Sequence, residues 1–333
     1  MKYPKSQFSK SIRDQDRISS PFLIKYSAVG TGKTGKPYMN LVLTDKTGDI
    51  EARIFDQVPR FSAQAVKDSF VHVEGLAQSF NGRIQVHIKE LIVLREDEIE
   101  MDSYLPESFL DPEKIYASAK EIIASMQDPY YRALLESIFI DDPEIITRFK
   151  KAPAAKSFHH AYPVGLLEHV VSIAKTLDFL AKHYSPHVDR DLLLVGGFLH
   201  DLAKIWELQY DKLTDYTTEG RLVGHLVMGS ELIEKKVQWL ESQEGRLPGP
   251  FPVEKKLLAK HVVLAHHGKL EYGSPKEPAC LEAVIIHMID DLDSKVNAIR
   301  MFIEQDAAPG SWTLLSRQYE RYFFKPEWAR KQP

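Results

Sequence analysis

The chain has 333 residues, 44% of them hydrophobic, enough to bury one large core or two ordinary ones. A formal charge of −4 excludes a uniformly basic nucleic-acid binder, and a single cysteine, Cys280, excludes an internal disulfide. No apolar signal region opens the chain and no stretch is long and apolar enough to span a bilayer, so a cytoplasmic protein without membrane contact is expected.

Residues 1–19 read as a basic N-terminal arm. Residues 1–40 hold eight Lys or Arg against two acids, a local bias that favours a polyanion. From residue 20 to 95 the pattern is that of strands: PFLIKYSAV, PYMNLVLTD, IEARIFD, FVHVEGLA and RIQVHIKELIVL alternate or are β-branched. Thr47-Gly48 and Asn81-Gly82 supply hairpin turns. Five strands with a long third gap predict a small Greek-key barrel of the OB type, with an SH3-like barrel as the competing reading.

Such barrels bind single strands by stacking bases on exposed rings beside a positive groove. Phe22, Tyr38, Phe55 and Phe80 are the aromatic candidates, with Tyr38 and Phe80 preferred because they flank turns. Lys25, Lys33, Lys36, Arg53 and Arg83 would supply the groove. The run GTGKTGKP at 30–37 imitates a phosphate loop, but Pro37 stands where Ser or Thr is required and no helix follows. It reads as a hairpin loop with two lysines.

An acidic, proline-containing stretch at 96–110 reads as a linker, and the chain then turns helical. Asp111-Pro112 and Asp142-Pro143 are helix starts. Apolar residues recur at three- and four-residue spacing through 165–184, 189–208, 222–242, 253–268 and 278–302. Residues 111–315 form this helical domain, and 316–333 are a basic, aromatic tail.

Eleven of the thirteen histidines lie between 159 and 287. A lone helical histidine is ordinarily a hydrogen-bonded core residue. Here an adjacent pair, His200-Asp201, ends the apolar run LLLVGGFLH, and His169, His225, His266, His267 and Asp290 surround it in sequence. Imidazole and carboxylate together suit a divalent transition ion, and a carboxylate has two oxygens with which to span two ions. The chemistry suggested is metal-activated water attacking a phosphate ester. Lys204, one turn on, is placed to hold a phosphate or a leaving oxygen. Spacing alone does not choose between His266 and His267.

The segments HHAYPVGLLEH, FLHDLAK, YTTEGRLVGH, AHHGKLEYGSP and MIDDLD, behind a barrel, resemble the HD-domain metal-dependent phosphohydrolases, and more closely the YhaM-type 3′–5′ exoribonucleases. That resemblance implies an all-helical HD domain behind an OB-fold. His169, His200, Asp201 and Asp290 would ligate one ion, and His225 and His266, with Asp201 bridging, a second. His267 stands as the alternative to His266, and Asp291 to Asp290, although D-x-L-D fits Asp290 to Asp293. The implied cofactor is a pair of divalent ions, manganese first, with iron, nickel, magnesium, cobalt or zinc as alternatives.

Asp201, Lys204 and His160 are the catalytic candidates, and His159 and Arg221 join Lys204 and His160 as candidates for phosphate contact. The implied partner is single-stranded RNA, with single-stranded DNA the alternative and homo-oligomers allowed. The implied products are nucleoside 5′-monophosphates released from the 3′ end. Two other readings compete: a nucleotide or cyclic-dinucleotide phosphohydrolase with a regulatory barrel, and a non-catalytic RNA-binding scaffold.

Overall fold

Alternating burial along the first hundred residues builds five strands: β1 (Arg17–Thr31), β2 (Pro37–Asp45), β3 (Gly48–Ile54), β4 (Phe70–Phe80) and β5 (Arg83–Leu94). The structure, a computed structural model, describes residues 2–32, 35–80, 83–104, 111–156, 162–210, 213–306, 308 and 310–329. The strands close into a barrel in the order β1-β2-β3-β5-β4, which is OB topology. All pairs are antiparallel except β3 with β5, where Ala52 faces Val86. Among the described residues, closure gives every barrel strand a neighbour on both sides. A short helix, α1 (Val58–Ser62), fills the long gap between β3 and β4.

Inward-facing Phe22, Ile24, Leu41, Ala52, Val73 and Val86 form the barrel core. Phe22, a candidate stacking ring, is therefore a core residue with no exposed surface. The basic arm is not a free segment. Ser9 donates its backbone N–H and its hydroxyl to Asp45 at 2.7 and 2.9 Å, and Lys5 pairs with the same carboxylate at 3.0 Å. Lys5 also lies 3.3 Å from the centre of the Phe22 ring, and burial drags its ammonium down to about 8. The first strand consequently starts at Arg17, ahead of the expected residue 20.

The second unit is helical. The chain divides into residues 1–109 and 110–333, apart from 211–213, which group with the first unit. Its helices are α2 (Pro112–Ala124), α3 (Pro129–Phe139), α4 (Pro143–Phe149), α5 (Gly165–His183), α6 (Arg190–Leu199), α7 (Lys204–Glu207), α8 (Thr218–Leu222), α9 (His225–Ser242), α10 (Val253–Ala265) and α11 (Leu281–Gln305). Asp111, Asp128 and Asp142 each cap a helix whose first residue is proline, accepting backbone N–H groups that would otherwise be orphaned. Each such cap contributes about 1 kcal/mol. Helix α3, opened by Asp128-Pro129, uses the same signal as its neighbours but is an addition to the elements read from sequence.

Two further elements are additions: the two-stranded ladder of β6 (Leu208–Gln209) with β7 (Asp215–Tyr216), and a C-terminal hairpin. That hairpin pairs Trp312 with Phe324 and Ser316 with Arg321, so the expected boundary at 315/316 falls inside a folded element. Helices α5, α6 and α11 pack on one another around Leu166, Val170, Leu194, Phe198 and Ile286. A Cβ at Gly196 would lie 2.1 Å from the Ile286 side chain, so the bare glycine is what lets α6 close on α11. Among the described residues no helix is long and apolar enough to cross a membrane.

Candidate metal centre

The helical core brings five histidines and two aspartates to one place. His169 projects from the first turns of α5, His200 caps the end of α6, and Asp201 follows it into a turn. His225 is the first residue of α9, His266 caps α10 with His267 beside it, and Asp290 lies mid-way along α11. Two clusters result: His169, His200, Asp201 and Asp290, and His225, His266 and His267. Within each, one donor atom per residue lies within 4.8 Å of the others.

Asp201 joins the clusters. Its Oδ2 lies 3.6 Å from the Nε2 of both His169 and His200, while its Oδ1 lies 3.4 Å from His225 Nε2 and 3.5 Å from His266 Nε2. Asp290 Oδ1 completes the first cluster, 3.3 Å from His169 Nε2. Such spacings suit donors that each sit about 2.0–2.2 Å from a shared ion.

The proton on every ring is tied down on the far side. Nδ1 of His169 donates to Asp293 Oδ2 at 2.8 Å, and that of His225 to Glu207 Oε1 at 2.9 Å. Backbone carbonyls accept from the rest: Gly197 from His200 at 3.1 Å, Val263 from His266 at 2.7 Å and Tyr272 from His267 at 3.1 Å. With Nδ1 carrying the proton, each Nε2 presents a bare lone pair inward. Asp201 Oδ1, His225 Nε2 and His266 Nε2 are buried with no hydrogen-bond partner among the described residues. Acceptors thus face acceptors, which buried polar atoms avoid unless a cation sits among them.

The electrostatics agree. Burial acts most strongly on Asp201 and would raise it, yet Lys204, His200 and the neighbouring imidazoles hold it well below the carboxylate range. Burial likewise opposes a charge on His169, but Asp201, Asp290 and Asp293 outweigh it and hold its pKa well above the usual value, so where no ion is bound a proton takes the cation's place on Nε2. Three carboxylates there demand positive charge. Burial pulls His266 down to about 4, so its ring is neutral at ordinary pH and free to offer a lone pair.

Other predicted residues fall less centrally. Lys204 Nζ sits 2.7 Å from Asp201 Oδ2, held there as an ammonium despite burial because Asp201 outweighs the desolvation. Arg221, on α8, pairs with Asp215 at 2.8 Å beside the Tyr216 ring. Asp291 points away and pairs with Lys295 at 2.7 Å, so Asp290 alone of the two reaches the centre. His267 joins His266 in the second cluster, so the two are not exclusive. His159, His160 and Lys33 lie outside the described residues.

On the barrel, Lys25 pairs with Asp49 at 2.7 Å, and Arg53 and Arg83 both approach Glu51, at 3.5 and 3.6 Å. Lys36 is exposed, Tyr38 half-buried and Phe80 63% exposed. Phe55 stands 54% exposed between Tyr38 and His87, with ring centres 6.2 and 5.2 Å away, making a short row of rings. Sequence reasoning passed over Phe55 as a preferred ring because it flanks no glycine turn.

It also passed over Asp293 and Glu207, which orient His169 and His225. Asp293 was accessible, since three residues after Asp290 is the same helix face. Glu207 carries no spacing signal, because a turn and a short helix separate it from Asp201.

Residues 166–295 match the HD domain family, and residues 24–94 match the OB-fold nucleic acid binding domain. The chain is an OB-fold barrel followed by an HD domain. Clustered His and Asp in an HD domain mark a metal-dependent phosphohydrolase, here joined to a nucleic-acid-binding fold.

Solved structures resembling parts of it are distant. The second OB-fold domain of replication protein A from Methanococcus maripaludis is 13% identical over 28% of this chain and 96% of its own, with a TM-score of 0.23. A mitochondrial single-stranded DNA binding protein from S. cerevisiae is 16% identical over 25% of this chain and 98% of its own, at 0.22. An asparaginyl-tRNA synthetase from Pyrococcus horikoshii is 15% identical over 72% of this chain and 60% of its own, at 0.21. Likenesses this remote carry no functional weight.

Proposed function

We propose that the protein is a divalent-metal-dependent 3′–5′ exoribonuclease that captures single-stranded RNA on its barrel and hydrolyses it in the HD domain. The observation that carries the metal-dependent part is Asp201, whose two oxygens face two separate groups of inward lone pairs. His169, His200, Asp201 and Asp290 would hold one ion, and Asp201, His225 and His266, with His267, a second. When bound, such ions would supply Lewis acidity to a phosphodiester and lower the pKa of a coordinated water.

The chain's own groups do the rest. Asp293 and Glu207 fix the tautomer and aim of His169 and His225, which keeps the donors pointed inward. Lys204 offers an ammonium beside Asp201, and a substrate phosphate would compete with that carboxylate for it. Burial of the cluster keeps the dielectric low, so each charge acts strongly on a transition state. Tyr38, Phe55 and His87 form a stacking platform for bases, with Phe80 and Lys36 exposed on the same barrel. Lys25, Arg53 and Arg83 would exchange acidic partners for phosphates. Polarity, preference for RNA and manganese, and mononucleotide products rest on the resemblance set out above.

The test is incubation of full-length protein with 5′-labelled single-stranded RNA, with Mn²⁺ and with chelator. The expected result is a ladder shortening from the 3′ end, release of nucleoside 5′-monophosphates, and no reaction in chelator. Internal cuts, or hydrolysis confined to free nucleotides, would contradict the reading.

A further inference from the structure

Helix α11 is apolar on two opposite sides. Its inner side carries Asp290 with Ala283 and Ile286, all packed toward the core and the metal centre. At about 100° per residue the outer side carries Leu281, Val284, Met288, Leu292 and Val296. Four of these are 53–62% exposed, and Val284 is 36% exposed. The exposed Asp291–Lys295 pair flanks this stripe on one side, and an exposed apolar stripe of this length marks a contact surface.

The stripe has a symmetry that says what partner. Including the half-buried Ile299, its members pair off about Asp290: Leu281 with Ile299, Val284 with Val296, and Met288 with Leu292. The spacing therefore reads the same in both directions. Two such helices laid antiparallel about a two-fold axis set every apolar position against another apolar position, which is the requirement of an isologous contact. A second copy of this chain meets that requirement with no further partner.

Area points the same way. The five exposed stripe residues offer roughly 500 Å² per copy, so about 1,000 Å² over two copies, the lower limit for a specific interface. The C-terminal hairpin continues the surface along α11, with Phe323 lying 6.1 Å, centre to centre, from Phe302. It presents Trp312, Tyr322, Phe324 and Trp328, each more than half exposed. With those rings the available area rises to roughly 2,000 Å² over two copies, ample for a standard stable interface.

We infer that the outer face of α11 and the adjoining C-terminal hairpin form a homodimer interface, with two copies of α11 crossing antiparallel near Asp290. Because Asp290 and Asp293 ride on the inner side of the same helix, each copy would brace the other's metal centre.

Sedimentation and light scattering of the full chain should give twice the 38.1 kDa monomer mass. Met288→Glu with Leu292→Glu should weaken self-association by at least about 100-fold, since it buries charge in the contact. In a Cys280→Ser background, Val284→Cys with Val296→Cys should cross-link into dimers under mild oxidation. Val284→Cys alone should not, because its symmetry mate would lie about 18 Å away along the axis. The cross-linking arm stands even if the charged variant misfolds. A monomeric wild type, a dimer that survives the charged pair, or equal cross-linking by the single cysteine would overturn the inference.

Discussion

The two units handle charge in opposite ways. On the barrel most predicted cations already have a counterion: Lys25 has Asp49, and Arg53 and Arg83 share Glu51. These pairs are at least partly exposed, worth little, and open to exchange for a phosphate. In the helical unit Asp201 Oδ1, His225 Nε2 and His266 Nε2 face one another unpartnered in the core. An exposed cation is compatible with many functions, whereas buried acceptors turned on each other demand one kind of guest. The helical core is built around a cation, while the barrel surface leaves its guest open.

The largest effect expected from that contrast comes from Asp201→Ala. It removes the one residue common to both clusters and should bring hydrolysis to background while RNA binding, measured by anisotropy, stays near wild type. Retained turnover with metal present would break the comparison at its centre. Next come Asp293→Asn and Glu207→Gln. Each leaves every ligand in place but loosens a ring, so metal affinity by titration should fall about 10–100-fold. Smallest is Phe55→Ala, which should weaken binding of single-stranded RNA by about 1–3 kcal/mol without changing the rate at saturation. An equal loss of rate would mean that the ring belongs to the chemistry rather than to capture.

Much of this was legible in the sequence because the signals were local. Alternation gave the five strands, Asp-Pro pairs gave helix starts, and His200-Asp201 at an apolar helix end marked the centre. What escaped depended on packing. Lys5 reads as a solvated arm residue, yet Asp45 and the Phe22 face draw it inward. Phe22 and Phe55 look alike in sequence, and only the barrel's inside and outside separate them. Asp290 and Asp291 differ by one helical step, and the direction of that step decides which reaches the histidines. Glu207 is joined to His225 by a fold-back that no short pattern announces.

The most direct measurement is the metal content of protein purified without chelator, by elemental mass spectrometry, for wild type and Asp201→Asn. Two divalent ions per chain in the wild type, with loss of at least one in the variant, is the predicted result. A wild type that stays metal-free in excess Mn²⁺, or a variant that keeps both ions, would contradict the account.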